Sequence, residues 1–157
     1  MRFAFCPLNG QKGHDAGRQL LARLYREDTG DDLPEIAIAD RGKPYFPGSS
    51  YHFSISHTRK HAFCVLSTTN IAIDAEELDR KVNLKLAEKI LSPTEKQQFD
   101  AAPDQPRALL TFWVLKEAAA KLSGEGLRGF PDHTHFSLDD PRVTELDGCI
   151  LAVMEDM

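Results

Sequence analysis

Apolar and polar positions along this chain fall into blocks, and the blocks predict its elements. Residues 2–6 form a short apolar run that suits a strand. Over residues 15–27 the side chains of Leu20, Leu21, Leu24 and Tyr25 share one helical face, with Asp15 as the expected N-cap and Gly30-Asp31-Asp32 as the stop. Residues 35–39 alternate as a strand does, and a turn-rich stretch follows to Gly48. Residues 51–56 and 62–67 predict a hairpin, and residues 71–76 are expected to continue its sheet. Helices then dominate. One is expected over residues 84–91, and Ser92-Pro93-Thr94-Glu95 opens another with capping-box spacing and proline at the first helical position. A long helix is expected from about Pro106 to Leu122, closed by Gly124, with strands returning at residues 133–138 and 149–154. The pattern is that of an α+β fold whose sheet draws on both halves of the chain.

Composition narrows the class. The 157 residues are 41% hydrophobic and 27% charged, which suits a globular chain with one core, or two small lobes sharing one. No apolar run approaches a membrane span, and the opening residues lack the apolar core of a signal peptide, so a cytoplasmic protein is expected. Cys6, Cys64 and Cys149 are odd in number, far apart and set among apolar neighbours. They read as buried free thiols, not as a disulfide frame or a zinc site. A net charge of −5 without a basic run argues against nucleic-acid binding. Any anion site must therefore be local, built from Arg41 and Lys43, Arg59 and Lys60, or Lys116 and Lys121.

Candidate chemistry gathers in two segments. In Phe112-Trp113-Val114-Leu115-Lys116-Glu117-Ala118-Ala119-Ala120-Lys121, Glu117 and Lys121 are four apart and share a helical face, as an ion pair or as part of a site. In Ile71-Ala72-Ile73-Asp74-Ala75-Glu76, strand alternation projects Asp74 and Glu76 to the same side. Three carboxylates and a lysine suit a hard cation such as Mg²⁺ held against an anionic substrate. Ser54-Ile55-Ser56-His57-Thr58 offers hydroxyl and imidazole donors to a phosphate, or merely caps a turn. A Ser-His-Asp hydrolase lacks its G-x-S-x-G here. Gly42-Lys43-Pro44 is by itself a turn, and His133-x-His135 has metal-ligand spacing without a third partner, so it reads as structural or exposed.

Taken in order, Gly42-Lys43-Pro44, Phe53 to Thr58, Ile73-Asp74-Ala75-Glu76 and Trp113 to Lys121, with Gly124-x-Gly126-Leu127 after, resemble the 4′-phosphopantetheinyl transferases. Their order resembles the surfactin-synthetase-type enzymes, which fuse two similar lobes into one pseudo-dimeric, monomeric chain. The resemblance implies lobes over residues 1–70 and 71–157, the first shortened before its helix. It implies Asp74, Glu76 and Glu117 around Mg²⁺ on the coenzyme A pyrophosphate, with Asp74, Glu117 and Lys121 as the catalytic set and Lys121 paired to that pyrophosphate. Ser56 and His57 would bind a coenzyme A phosphate, Gly42, Lys43 and Pro44 would border the adenine, and Arg18 would meet the 3′-phosphate. The implied reaction moves the phosphopantetheine arm of coenzyme A to a serine of an acyl or peptidyl carrier protein, releasing 3′,5′-ADP. Arg59, Lys60, Lys81 or Lys85 would meet an acidic helix of the carrier. Two alternatives stay open: a degenerate protein that binds carrier or coenzyme A without turnover, and a metal-dependent phosphohydrolase built on the carboxylates alone.

Overall fold

A computed structural model describes residues 1–125 and 135–156. Its first half runs β1 (Arg2–Pro7), α1 (Gly13–Thr29), β2 (Ala37–Ile38), β3 (Pro44–Tyr45), β4 (His52–His57) and β5 (His61–Ser67). The second half runs β6 (Ile71–Glu77), a 3-10 turn (Leu84–Leu86), α2 (Ala87–Ile90), α3 (Pro93–Ala101), α4 (Gln105–Ser123), β7 (Val143–Leu146) and β8 (Cys149–Glu155). Two antiparallel three-stranded sheets result, ordered β1-β5-β4 and β6-β8-β7, beside the small pair β2-β3.

The apolar pattern decides which faces meet. Leu20, Leu21 and Leu24 of α1 pack with Ala4, Cys64 and Leu66 on one face of the first sheet. The opposite face carries Phe63 and Val65, which join Ile71, Ile73, Ala75 and Leu151 of the second sheet in a shared core. Helix α4 covers the second sheet with Leu110, Val114, Leu115 and Ala118 against Ile150, Ala152 and Met154. Helices α2 and α3 close its outer side through Ile90 and Phe99 against Leu109 and Phe112.

Two glycines let α1 lie close on β4. A Cβ at Gly13 would stand 2.4 Å from the His57 ring, and one at Gly17 would stand 2.4 Å from Ile55 Cγ2. Their spacing of four residues keeps both on one helical face.

Residues 71–77 do not extend the hairpin's sheet, contrary to expectation. Strand β6 pairs with β8, and its other edge meets β4 through side chains. Ser54 Oγ accepts from the Ile73 N–H and Ser56 Oγ from the Ala75 N–H, both at 3.1 Å. The two hydroxyls thus satisfy buried donors that a backbone ladder would otherwise take. Other corrections are local. Lys12, not Asp15, is the α1 N-cap, and Asp15 sits in the first turn, where its charge suits the helix dipole. The strand expected over residues 35–39 shrinks to Ala37–Ile38. The helix expected over 84–91 splits into the 3-10 turn and α2. Of the strand expected at 133–138, residues 133 and 134 lie outside the described residues, and 135–138 form no strand. Strand β7 was not foreseen, because Val143-Thr144-Glu145-Leu146 is short and half polar. The capping box at Ser92 and the Gly124 closure of α4 stand as read.

Candidate functional site

Helix α4 delivers the cationic and one acidic member of the site. Asp104 caps its first turn, accepting from the Arg107 N–H at 3.1 Å, and proline occupies the first turn. Its position is fixed internally by Lys116, whose Nζ lies 2.7 Å from Glu95 Oε1, both side chains fully buried. Glu95 also accepts from the Ser92 N–H and the Phe136 N–H, each at 2.8 Å, so one carboxylate ties α3, α4 and the chain at Phe136 together. This pair was not singled out from sequence, although the capping-box glutamate and the motif lysine were both in view.

Five residues beyond Lys116, Lys121 reaches the second sheet. Its ammonium donates to Ile73 O at 2.9 Å, Asp74 Oδ1 at 3.1 Å and Ile55 O at 3.5 Å. The ion pair that forms is therefore Lys121 with Asp74, not the Glu117–Lys121 pair that helical spacing offered. Strand β6 holds Asp74 buried on the side facing α4, and its Oδ2 is a buried atom without a hydrogen-bond partner. Burial pushes the Asp74 carboxyl up to about 7, Lys121 pulls against that shift, and the charges of Glu117 and Glu76 add to it. Glu117, half-buried, is likewise raised by burial and by Glu76, against Lys121 and Arg80.

Three neighbouring carboxyls, two of which raise Asp74, with a buried oxygen left over, form a donor set that suits a small hard cation. Oxygen ligands of this kind, few in number, match Mg²⁺, which keeps waters or phosphate oxygens for its remaining positions. Glu76 is the member most engaged elsewhere. Its Oε1 accepts from Arg80 at 2.6 Å and from Trp113 Nε1 at 3.2 Å.

A cavity of about 270 Å³ lies beside this cluster, lined by Gly42, Lys43 and Pro44 on one side and Glu117 and Lys121 on the other. Arg41, named from sequence as local positive charge, also lines it, as do Phe53 and Ile55, which were not foreseen as site-lining. The structure therefore brings Gly42-Lys43-Pro44 to the α4 carboxylate and lysine from 73 to 79 residues away in sequence. Lys43 anchors that approach, donating to Asn70 Oδ1 at 2.7 Å and to Leu122 O at 3.1 Å, and burial lowers its pKa. Glu76 faces a second cavity of about 390 Å³ with Thr58, Arg59 and Arg80. Arg18 and His57 line neither cavity. The His57 ring lies over Gly13 in the first turn of α1, whose N-terminus has no side-chain cap. Ser56 is buried with its oxygen on the Ala75 N–H, which leaves its own proton to donate.

Comparison with known proteins fits this geometry. Residues 70–149, which include Asp74, Glu76, Glu117 and Lys121, match the model of the 4′-phosphopantetheinyl transferase superfamily. The 4′-phosphopantetheinyl transferase AcpT of Escherichia coli K12 is 33% identical over 114 residues, covering 69% of this chain and 56% of that protein. The 4′-phosphopantetheinyl transferase psf-1 of Bacillus pumilus is 31% identical over 80 residues, covering 50% of this chain and 34% of that protein. The chain thus spans from a third to just over half the length of these relatives. With the matched half carrying the carboxylates and the lysine, this chain belongs to the 4′-phosphopantetheinyl transferase superfamily.

Proposed function

We propose that this chain transfers the 4′-phosphopantetheine arm of coenzyme A to a serine of an acyl or peptidyl carrier protein, releasing 3′,5′-ADP. The observation that carries the reading is the cavity where Gly42, Lys43 and Pro44 face Glu117 and Lys121, next to the partnerless Asp74 oxygen. The surfactin-synthetase-type arrangement, with lobes over residues 1–70 and 71–157 in a monomer, has its own support. In the first half the order is strand, helix, strand, strand (β1, α1, β4, β5), arranged in space as first, third, second. In the second half β6, α4, β7 and β8 repeat that order and that arrangement.

In the mechanism, Gly42, Lys43 and Pro44 border the adenine. His57 lies beside an uncapped helix N-terminus, where a phosphate is favoured, with Ser56 and Arg18 on the neighbouring elements. Asp74, Glu76 and Glu117 would hold Mg²⁺, which when bound neutralises charge on the pyrophosphate. Lys121 stays near Asp74 and supplies a second positive charge to the same phosphates. Glu117, with its raised pKa and its place on the cavity wall, accepts the proton of the attacking serine hydroxyl. That oxygen forms a bond to the β-phosphorus as the bond to the 3′,5′-ADP oxygen breaks. The nucleophile comes with the partner, so the enzyme's task is positioning and charge neutralisation. Arg59, Lys81 and Lys85 stand exposed, suited to an acidic helix of the carrier.

The test is to measure 3′,5′-ADP formed from coenzyme A and Mg²⁺ with and without an apo carrier protein. Release that requires the carrier supports transfer. Release without it indicates a phosphohydrolase, and none with any of several carriers indicates a binding protein; either result overturns the proposal.

A further inference from the structure

Away from the carboxylates, three strand ends meet at one buried point. His61 opens β5, Glu77 closes β6 and Cys149 opens β8, and all three are buried. His61 Nδ1 lies 3.1 Å from Glu77 Oε2, Cys149 Sγ lies 3.0 Å from that oxygen, and Sγ and Nδ1 are 3.4 Å apart. Ligand atoms around a tetrahedral zinc stand about 3.3–3.6 Å from one another, given its bond lengths. The triangle is therefore nearly the right size before any ion draws it together.

The neighbours hold the donors in pose. His61 Nε2 lies 2.8 Å from Asp147 Oδ2, which turns Nδ1 inward. Asp147 reaches it from the β7–β8 turn, where Asp147 (φ 53°) and Gly148 (φ 79°) both adopt the left-handed conformation of a two-residue hairpin. The Thr58 hydroxyl donates to Glu77. Burial, reinforced by Glu77, keeps the Cys149 thiol protonated, up to about 12, so without a cation it donates to the carboxylate.

We propose that His61, Glu77 and Cys149 form a second metal site, selective for Zn²⁺ or a similar thiolate-binding divalent ion, that ties β5 of the first sheet to β6 and β8 of the second. The donor set is the argument. Sulfur and imidazole nitrogen favour zinc, whereas the all-oxygen set at Asp74, Glu76 and Glu117 favours Mg²⁺. On binding, the Cys149 proton and any proton on His61 Nδ1 pass to solvent, and lone pairs of Sγ, Nδ1 and Oε2 bond to the ion. One thiolate and one carboxylate balance the double charge, so the buried centre is neutral. The cavity that Thr58 and Glu77 line gives the ion a route in, and Thr58 or a water takes the fourth position. Sequence spacing did not point here, because the ligands lie on three strands and the cysteines read as inert thiols.

The experiment is a Co²⁺ titration of the chelator-stripped full chain. The expected result, with Mg²⁺ in excess, is a sulfur-to-cobalt charge-transfer band and tetrahedral visible bands that saturate at one equivalent, both displaced by Zn²⁺. The bands should disappear in Cys149→Ser and persist in Asp74→Asn and in Cys64→Ser, while Asp147→Asn should weaken Zn²⁺ affinity about tenfold. No thiolate-to-cobalt band in the wild-type chain, which needs no variant to fold, would overturn the proposal and leave a hydrogen-bonded cluster. A band surviving in Cys149→Ser would overturn it equally.

Discussion

Replacing Lys116 with methionine removes the partner of a carboxylate that has no access to water. Glu95 is fully buried, with Lys116 Nζ 2.7 Å from its Oε1 and the Lys116 ammonium 5.8 Å from the Phe136 ring centroid. Breaking a buried pair from one side costs about 3–5 kcal/mol, chiefly the penalty of the stranded charge. Glu95 keeps the Ser92 and Phe136 N–H donors, so the lower end, about 3 kcal/mol, is expected here. For a chain of this size that is a fall in melting temperature of roughly 6–12 °C. Urea unfolding followed by circular dichroism should be run on Lys116→Met, Glu95→Gln and the double variant. Because the second change removes the charge the first strands, the double variant should lose less than the sum by about 1–3 kcal/mol. A loss below about 1 kcal/mol in Lys116→Met, or strict additivity, would refute the claim that this pair anchors α4.

Four further outcomes follow from named contacts. Glu117→Ala and Lys121→Met should each lower carrier-dependent 3′,5′-ADP release by at least about 100-fold, read in initial-rate assays. Asp74→Asn should flatten the pH dependence of stability in chelator. The wild-type carboxyl is raised to about 7, so its contribution is fully present below the ordinary carboxylate range and is lost as pH rises toward 7. Urea midpoints from pH 4.5 to 8.5 should therefore fall in the wild type and fall less in the variant. Gly17→Ala should cost about 1–3 kcal/mol in urea unfolding, because its methyl would stand 2.4 Å from Ile55 Cγ2. Ser54→Ala strands the buried Ile73 N–H and should cost about 1–3 kcal/mol in the same assay.

What was legible in the sequence was whatever local periodicity and spacing encode. The strand alternation through Asp74 and Glu76 and the helical spacing of Glu117 and Lys121 named side chains that the fold brings together. The ion pair that helical spacing offered does not form, because spacing along one helix is blind to the sheet beside it, where Asp74 of β6 lies 3.1 Å from Lys121. Ser56 of β4 read as a phosphate donor; its oxygen, like that of Ser54, also accepts an N–H of β6. That stitch has no sequence signal, since a hydroxyl in a strand looks the same whether it faces a ligand or a neighbouring N–H. Gly13 and Gly17 did carry a signal, two glycines four apart at a helix start, which marks a close approach. Lys43 was read as part of a turn and as local positive charge, and only the fold brings it to the Leu122 carbonyl in the last turn of α4.

The central claim is tested most directly by the intact mass of an apo carrier protein after incubation with this chain, coenzyme A and Mg²⁺. The account predicts a gain of one phosphopantetheine arm, about 340 Da, that is lost on chelation and lost with Glu117→Ala. An unchanged mass across fatty-acid, polyketide and peptide carriers, with a chain that still binds coenzyme A, would contradict it.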